Sequence, residues 1–375
     1  MRVMITGGGT GGHIYPALAI ARGVMERWPG SEVLYVGTDQ GLEADIVPRA
    51  GFPFKTIPAQ GLKRALSPQN VVAVWSAARG YFIASRLIHE WRPTVVIGTG
   101  GYVCGPVILA ASRQGVPTMI HEQNAFPGVT NRLLSRFTDR TAITFLDAVK
   151  FFPKKARIVL TGLPIRSEIL SVRRGQARKT LNLSSGDFMV LSFGGSRGAY
   201  SINQAMIRVI QSLHQYPGLR LYHATGNRDY KKFMAELAKG GLKVNGPGDK
   251  VKVEPYFYEI ANLLAAADLV ICRAGASTIA ELTVLGLPSI LVPFPYATGN
   301  HQEHNARALA SQGAAILVHD RDLSGEVLVG YIKGLMKDRS RLAQIAKASA
   351  AFGKPNALEH ILDVVSNVIV ERNNR

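Results

Sequence analysis

At 375 residues, 47% of them apolar and none in a low-complexity tract, the chain is long enough for two globular domains. Only two cysteines occur, Cys104 and Cys272, which excludes a disulfide scaffold and a cysteine-metal cluster and leaves buried small thiols. The net charge of +18 is shared evenly between residues 1–163 and the remainder, with no basic tail, and asks for an anionic partner: nucleic acid, an anionic membrane surface or a phosphorylated substrate.

The chain opens on a β-rich run, Val3–Thr6, followed by five glycines broken only by Thr10, and then by helical spacing from His13. No basic-then-apolar leader precedes the strand and no uninterrupted apolar run approaches the roughly 20 residues of a membrane span, so a cytoplasmic protein is expected. Further strands are predicted at Val33–Val36, Phe54–Ile57, Thr94–Ile97, Thr118–His121, Thr141–Ile143 and Arg157–Leu160. After the Gly-Pro stretch "TGLPIR" the alternation restarts: Met189–Phe193, Leu219–Ala224, Lys250–Val253, Leu269–Cys272, Ser289–Val292 and Ala315–Val318. Helical segments separate these runs, which predicts α/β architecture with two doubly wound parallel sheets. A second break at "FGKPN" leaves a final helix, Ala357–Val370, able to cross back to the first domain. The domains expected are 1–163 plus 356–375, and 164–355.

Ligands of open α/β sheets lie beyond the carboxyl ends of the strands, so strand-to-helix turns are where chemistry is sought. Three are rich in glycine: residues 7–12, "GTGGYVCGP" at 98–106, and "FGGSRGA" at 193–199. Glycine there either makes a tight turn or lets backbone N–H groups approach a phosphate at a helix start. Three such turns shared by two domains favour more than one phosphate-bearing ligand. Gly7, Gly9 and Gly12 fit the dinucleotide pattern GxGxxG. Asp39, however, lies beyond a glycine at the end of the second strand, and hydride transfer leaves the third turn unexplained. A nucleic-acid protein is disfavoured by the even spread of charge and the lack of interleaved aromatic and basic strand motifs.

"GGGTGGHIYPALAIA", "GTGGYVCGP", "HEQNAFPGVTNR", "GLPIR", "FGGSRGA", "CRAGASTIAEL" and "HQEHNARAL" stand in the order found in the MurG family of peptidoglycan glycosyltransferases, which the chain resembles over nearly its whole length. The resemblance implies the GT-B fold, two Rossmann-like domains with a cleft between them. It also implies transfer of N-acetylglucosamine, with inversion, from UDP-N-acetylglucosamine (UDP-GlcNAc) to the C4 hydroxyl of lipid I, the undecaprenyl-pyrophosphoryl-N-acetylmuramoyl-pentapeptide. The products would be lipid II and UDP. Another GT-B enzyme of UDP-sugars, a lipid glycosyltransferase or an epimerase, is the competing reading.

On the donor side the resemblance implies contacts from Ala276, Ser277, Thr278, Ile279 and Ala280 at a helix start, with Glu281 on the ribose hydroxyls. Thr278 and Glu281 also have the spacing of a capping box, so the glutamate has a purely structural alternative. Ser196, with Arg197 beside it, Arg166, Phe257 and Gln302 are carried over as further donor contacts, and Asn124 as one from the first domain. A guanidinium at Arg166 suits a leaving diphosphate. Thr10, Gly11 and Gly12 would offer main-chain N–H groups to a diphosphate. On the acceptor side Gly101 and Tyr102 are carried over. His13, just past the first glycine turn, is expected either as the general base that takes the C4 proton, imidazole having an ordinary pKa of about 6.5, or as a structural histidine capping its helix or contacting phosphate. Glu122 is the competing base. Helix N-termini and arginine would stabilise departing UDP, so no catalytic metal and no cofactor are expected.

Residues 69–92 carry Val71, Val72, Trp75, Phe82, Ile83 and Trp91 among Arg79, Arg86 and Arg92, preceded by Lys63 and Arg64. One face of this segment can pack on its own sheet while the other docks on anionic lipid. The implied placement is peripheral, on the cytoplasmic face of the plasma membrane, with other cell-wall synthesis proteins as further partners.

Overall fold

The structure is a computed structural model that describes the chain except for residues 62–67, 196, 197, 215, 247 and 375. Lys63, Arg64, Ser196 and Arg197, singled out above, therefore lie outside the described residues. The chain forms two compact units: Met1–Ile165 with Asn356–Arg375, and Arg166–Pro355.

The first unit contains, in order, β1 (Arg2–Thr6), α1 (Gly11–Arg27), β2 (Glu32–Gly37), α2 (Glu43–Arg49), β3 (Phe54–Thr56), α3 (Pro68–Trp91), β4 (Val95–Gly98), α4 (Cys104–Arg113), β5 (Thr118–Glu122), α5 (Val129–Leu134), β6 (Arg140–Ile143) and β7 (Ile158–Leu160). The strands form one parallel sheet of order β3-β2-β1-β4-β5-β6-β7. Covered on both faces, its central strands are apolar at successive positions instead of alternating. In β1 Val3 and Ile5 join the layer beneath α1, while Met4 faces the layer formed by α3 and α4. The order reverses between β1 and β4, so the first two glycine turns open side by side at this switch point.

The second unit runs α6 (Ser167–Ser171), α7 (Arg174–Thr180), β8 (Phe188–Phe193), α8 (Tyr200–Leu213), β9 (Leu219–Ala224), α9 (Tyr230–Lys239), β10 (Val251–Glu254), α10 (Ile260–Ala266), β11 (Leu269–Cys272), α11 (Ala276–Val284), β12 (Ser289–Leu291), α12 (His301–Ala310), β13 (Ile316–Leu317), α13 (Gly325–Lys337) and α14 (Arg339–Phe352). Its parallel sheet has the order β10-β9-β8-β11-β12-β13, reversing between β8 and β11. The third glycine turn and the "CRAGAS" turn are thus neighbours, as the first two are in the other unit.

The final helix, α15 (Ala357–Asn373), belongs to the first unit. Ile361, Leu362, Val365 and Val368 are buried in the same cluster as α1. Gly23 of α1 lets Leu358 approach: a Cβ there would stand 2.9 Å from a Leu358 methyl. Arg27 ties the pair at the rim by an ion pair to Asp363 at 2.6 Å.

Helix α3 corrects the sequence reading at Trp91. Among the described residues, Asn70–Trp91 is long and apolar enough by length and composition to cross a membrane, with a mean hydropathy of 1.2. On its inner side Ala73 is buried, and Ala84 and Ile88 pack into the core layer shared with α4. Trp91, expected on the docking face, is partly buried against that layer. Val71, Val72, Val74, Trp75 and Phe82 stay exposed, Trp75 at 73% and Phe82 at 71%.

Candidate functional site

In the first unit β1 ends at Thr6 and the chain turns through Gly9, whose φ of +82° is left-handed, into α1. The Thr10 side chain makes no cap bond to this helix, so the first N–H groups of α1 at Gly11 and Gly12 have no side-chain acceptor from the cap. The neighbouring turn after β4 closes on the first one. Gly8 N donates to Gly100 O at 3.2 Å. A Cβ on Gly101 (φ +90°) would sit 2.4 Å from Gly8 O, and Thr99 Oγ1 donates to His13 O at 2.9 Å. Beneath, Tyr35 OH donates to Gly7 O at 2.8 Å, and the Cys104 thiol lies against Gly100. The glycines therefore serve close backbone packing first, and the turn they make presents His13.

His13 Nδ1 lies 2.9 Å from Gly8 O. A carbonyl only accepts, so Nδ1 carries the proton and Nε2 keeps its lone pair. Half-buried His13 thus has the tautomer a general base needs. His121 is the opposite case. It is fully buried in β5, its Nε2 bonds to Gly162 O at 2.8 Å, and burial holds its pKa down at about 4.

Glu122, the competing base, is buried at the end of β5 with four donors on its two oxygens. Asn124 N and Nδ2 donate to Oε1 at 3.0 and 3.2 Å, and Gly128 N and Asn131 Nδ2 donate to Oε2 at 3.1 and 2.8 Å. This carboxylate fastens the loop from β5 to α5, and with it Asn124. Tyr102 is exposed, its ring laid over Gly61.

In the second unit β11 leads through Arg273, Ala274 and Gly275 into α11. The cap residue is Gly275, and no side chain caps the helix. Thr278 is the third helical residue, so the Thr278–Glu281 capping box is not formed. The N–H groups of Ala276, Ser277 and Thr278 precede the first intrahelical bond, from Ile279 N to Gly275 O. Ile279 and Ala280 are buried behind them. Around this turn Arg273 pairs with Asp320 and donates to Ser201 Oγ at 3.0 Å, and buried Asn305 donates to Ala274 O at 3.2 Å. Arg273 and Asn305 lie inside the quoted motifs "CRAGASTIAEL" and "HQEHNARAL", whereas Ser201 and Asp320 stand outside them.

Glu281 and Arg166, expected on different parts of one ligand, bond to each other. Arg166 Nε donates to Glu281 Oε1 at 2.9 Å, and Nη2 lies 2.8 Å from the same oxygen. Burial raises the Glu281 pKa, and the guanidinium partly opposes that rise. Gln302, at the start of α12, accepts from Phe294 N through Oε1 at 2.9 Å. His301 precedes it and donates through Nδ1 to Thr298 O at 2.8 Å. Phe257, on the loop after β10, is half-buried near Tyr222. Among the described residues no group of three His, Cys, Asp or Glu side chains is arranged to hold a metal ion.

Two family models match the chain: the glycosyltransferase family 28 N-terminal domain over residues 3–143, and the family 28 C-terminal domain over residues 189–361. The UDP-N-acetylglucosamine–N-acetylmuramyl-(pentapeptide) pyrophosphoryl-undecaprenol N-acetylglucosamine transferase of Desulforudis audaxviator is 59% identical over 98% of both chains. The chain belongs to glycosyltransferase family 28. The family 28 enzyme of the same name from Desulforamulus reducens is 52% identical over 98% of this chain and 99% of its own. The crystal structure of Acinetobacter baumannii MurG matches with a TM-score of 0.80 and 31% identity, covering 98% of this chain and 99% of that one. The family 28 chain therefore has the GT-B fold class. A UDP-GlcNAc 2-epimerase from Neisseria meningitidis, at 13% identity, TM-score 0.65 and coverage of 98% and 100%, shares the fold alone.

Proposed function

We propose that this chain transfers N-acetylglucosamine from UDP-GlcNAc to the C4 hydroxyl of lipid I, giving lipid II and UDP. The observation that carries the reading is the 59% identity to a transferase of that name over 98% of both chains. The geometry is compatible with a division of labour. The second unit takes the donor, with the free N–H groups of Ala276–Thr278 at the diphosphate and Glu281 at the ribose. Arg166 exchanges its bond to Glu281 for the diphosphate, where a guanidinium stabilises the negative charge of departing UDP. Ile279, Ala280, Phe257 and Gln302 complete the donor pocket, with Ser196 from the third glycine turn.

The first unit takes the acceptor through Gly101 and Tyr102. His13 Nε2 removes the C4 hydroxyl proton as that oxygen attacks the anomeric carbon. The bond from that carbon to the diphosphate breaks, its electrons leave with UDP, and the configuration inverts. Thr10, Gly11, Gly12 and Asn124 act on the donor from this unit. The reaction is tested by radiolabel transfer from UDP-GlcNAc, UDP-GalNAc or UDP-glucose to a lipid I analogue. Label should pass from UDP-GlcNAc alone. Label that stays on the nucleotide as an epimerised sugar, with no lipid product, overturns the reading. His13→Ala should lower kcat at least a hundredfold with UDP-GlcNAc affinity nearly unchanged.

The lipid substrate requires contact with a membrane. The exposed Val71, Val72, Val74, Trp75 and Phe82 of α3, with Arg79 and Arg86 among them, provide an apolar face with basic charges. The opposite side of α3 is core, which fits lying on the cytoplasmic face of the plasma membrane and not spanning it.

A further inference from the structure

Glu43, the first residue of α2, is a fully buried carboxylate that the mechanism above does not use. Its oxygens are bound by neutral donors. Oε1 accepts from Thr38 N at 3.2 Å and Thr38 Oγ1 at 2.7 Å, and Oε2 accepts from Gly9 N at 2.9 Å. Three glycines make room for it: a Cβ on Gly8, Gly37 or Gly41 would stand 2.3, 2.6 or 2.2 Å from a Glu43 side-chain atom.

Gly9 N–H, which donates to Glu43, and Gly8 C=O, which accepts from His13 Nδ1, belong to one amide. A carboxylate, a peptide group and an imidazole therefore stand in series. We propose that Glu43 is the positioning residue of His13 and acts through the Gly8–Gly9 peptide. The negative charge on Oε2 polarises that amide and makes Gly8 O a stronger acceptor. This holds the imidazole in its Nδ1–H tautomer and enriches Nε2 as a base. Gly101, pressed on the Gly8 carbonyl from the other side, keeps the amide from turning away. The inference rests on the assignment of His13 as base.

Other titratable groups around His13 are Tyr15 on its own helix, Tyr102 on the neighbouring turn, and Tyr35 and Cys104 beneath the turns. Burial pushes the Tyr35 pKa far up and the Cys104 thiol to about 12, so neither of these changes charge near neutrality.

The test follows the His13 ring nitrogens by NMR in the full-length chain labelled with 15N-histidine, with His13→Ala giving the assignment. Glu43→Gln should lower the His13 titration midpoint and reduce kcat about tenfold, leaving UDP-GlcNAc affinity unchanged. Thr38→Val keeps the carboxylate but removes a competing donor, so it should move the midpoint upward. Should Glu43→Gln fail to fold, Thr38→Val decides alone. A midpoint that does not move, or moves the other way, overturns the role of Glu43. If His13→Ala is inactive, that result leaves the base assignment standing. If His13→Ala keeps its rate, the base assignment falls and the role of Glu43 with it.

Discussion

Gly100 and His13 share one small space: a Cβ on Gly100 would stand 2.8 Å from His13 Cδ2 and 3.0 Å from Nε2, and Gly100 has a φ of +110°. Only glycine both adopts this backbone and leaves the imidazole edge open. Gly100→Ala should therefore destabilise the first unit by about 1–3 kcal/mol and displace His13. Transfer rate should fall steeply while UDP-GlcNAc affinity, which we propose rests mainly on the second unit, holds. Thermal unfolding and calorimetry on the same sample check both, and an unchanged kcat would show that His13 has freedom to spare.

The Arg166–Glu281 pair predicts a pH-dependent donor affinity. Burial raises the Glu281 pKa above its ordinary 4.5, so the folded chain favours the protonated acid. Its charge is a cost to stability above the raised value, relieved as pH falls through it. With Glu281 at the ribose as proposed, donor binding has the opposite sign, because the ribose hydroxyls would need the carboxylate as acceptor. UDP-GlcNAc, whose diphosphate diester keeps its charge here, should bind more weakly as pH drops through that raised value. Arg166→Ala should move the midpoint higher still. Glu281→Gln should abolish the dependence and cost about tenfold in affinity at neutral pH. Calorimetric titration across the range reads all three.

Two buried histidines predict a loss of stability in acid. Burial lowers His121 to about 4 and His223 to about 3, below the ordinary 6.5. Between those values the unfolded chain binds protons that the folded chain refuses. Their contribution is whole above pH 6.5 and is lost as pH falls toward 4 and then 3. The melting temperature should decline over this window, and His121→Gln, which removes one titrating group, should flatten the decline between 6.5 and 4.

The exposed face of α3 predicts salt-sensitive docking. Trp75→Glu with Phe82→Glu should cut sedimentation with anionic vesicles at least tenfold, since burying each ring is worth about 1.5–3 kcal/mol. Turnover of a soluble lipid I analogue should persist. Binding that resists both the substitutions and high salt would move the docking surface elsewhere.

Much of this is written locally. All thirteen predicted strands appear, because parallel strands buried on both faces read as apolar runs bounded by turn residues. The glycine turns after β1, β4 and β8 were legible for the same reason. Glu43 was not: at the start of a short helix it looks like any exposed acid favoured by the helix dipole. Glu122 stood out as a residue type in a motif, but nothing in "HEQN" reveals the four donors that occupy it. The outward and inward sides of α3 blurred together because Trp91 is apolar either way.

The sequence by itself determined the elements, the glycine turns and the family, since those depend on side-chain spacing over a few residues and on glycine lacking a Cβ. Only the tertiary structure decided which groups touch. Gly9 meets Glu43 across 34 residues and Arg166 meets Glu281 across 115. Those meetings follow from strand order and helix packing, which bring distant positions to bonding distance and which no local pattern encodes.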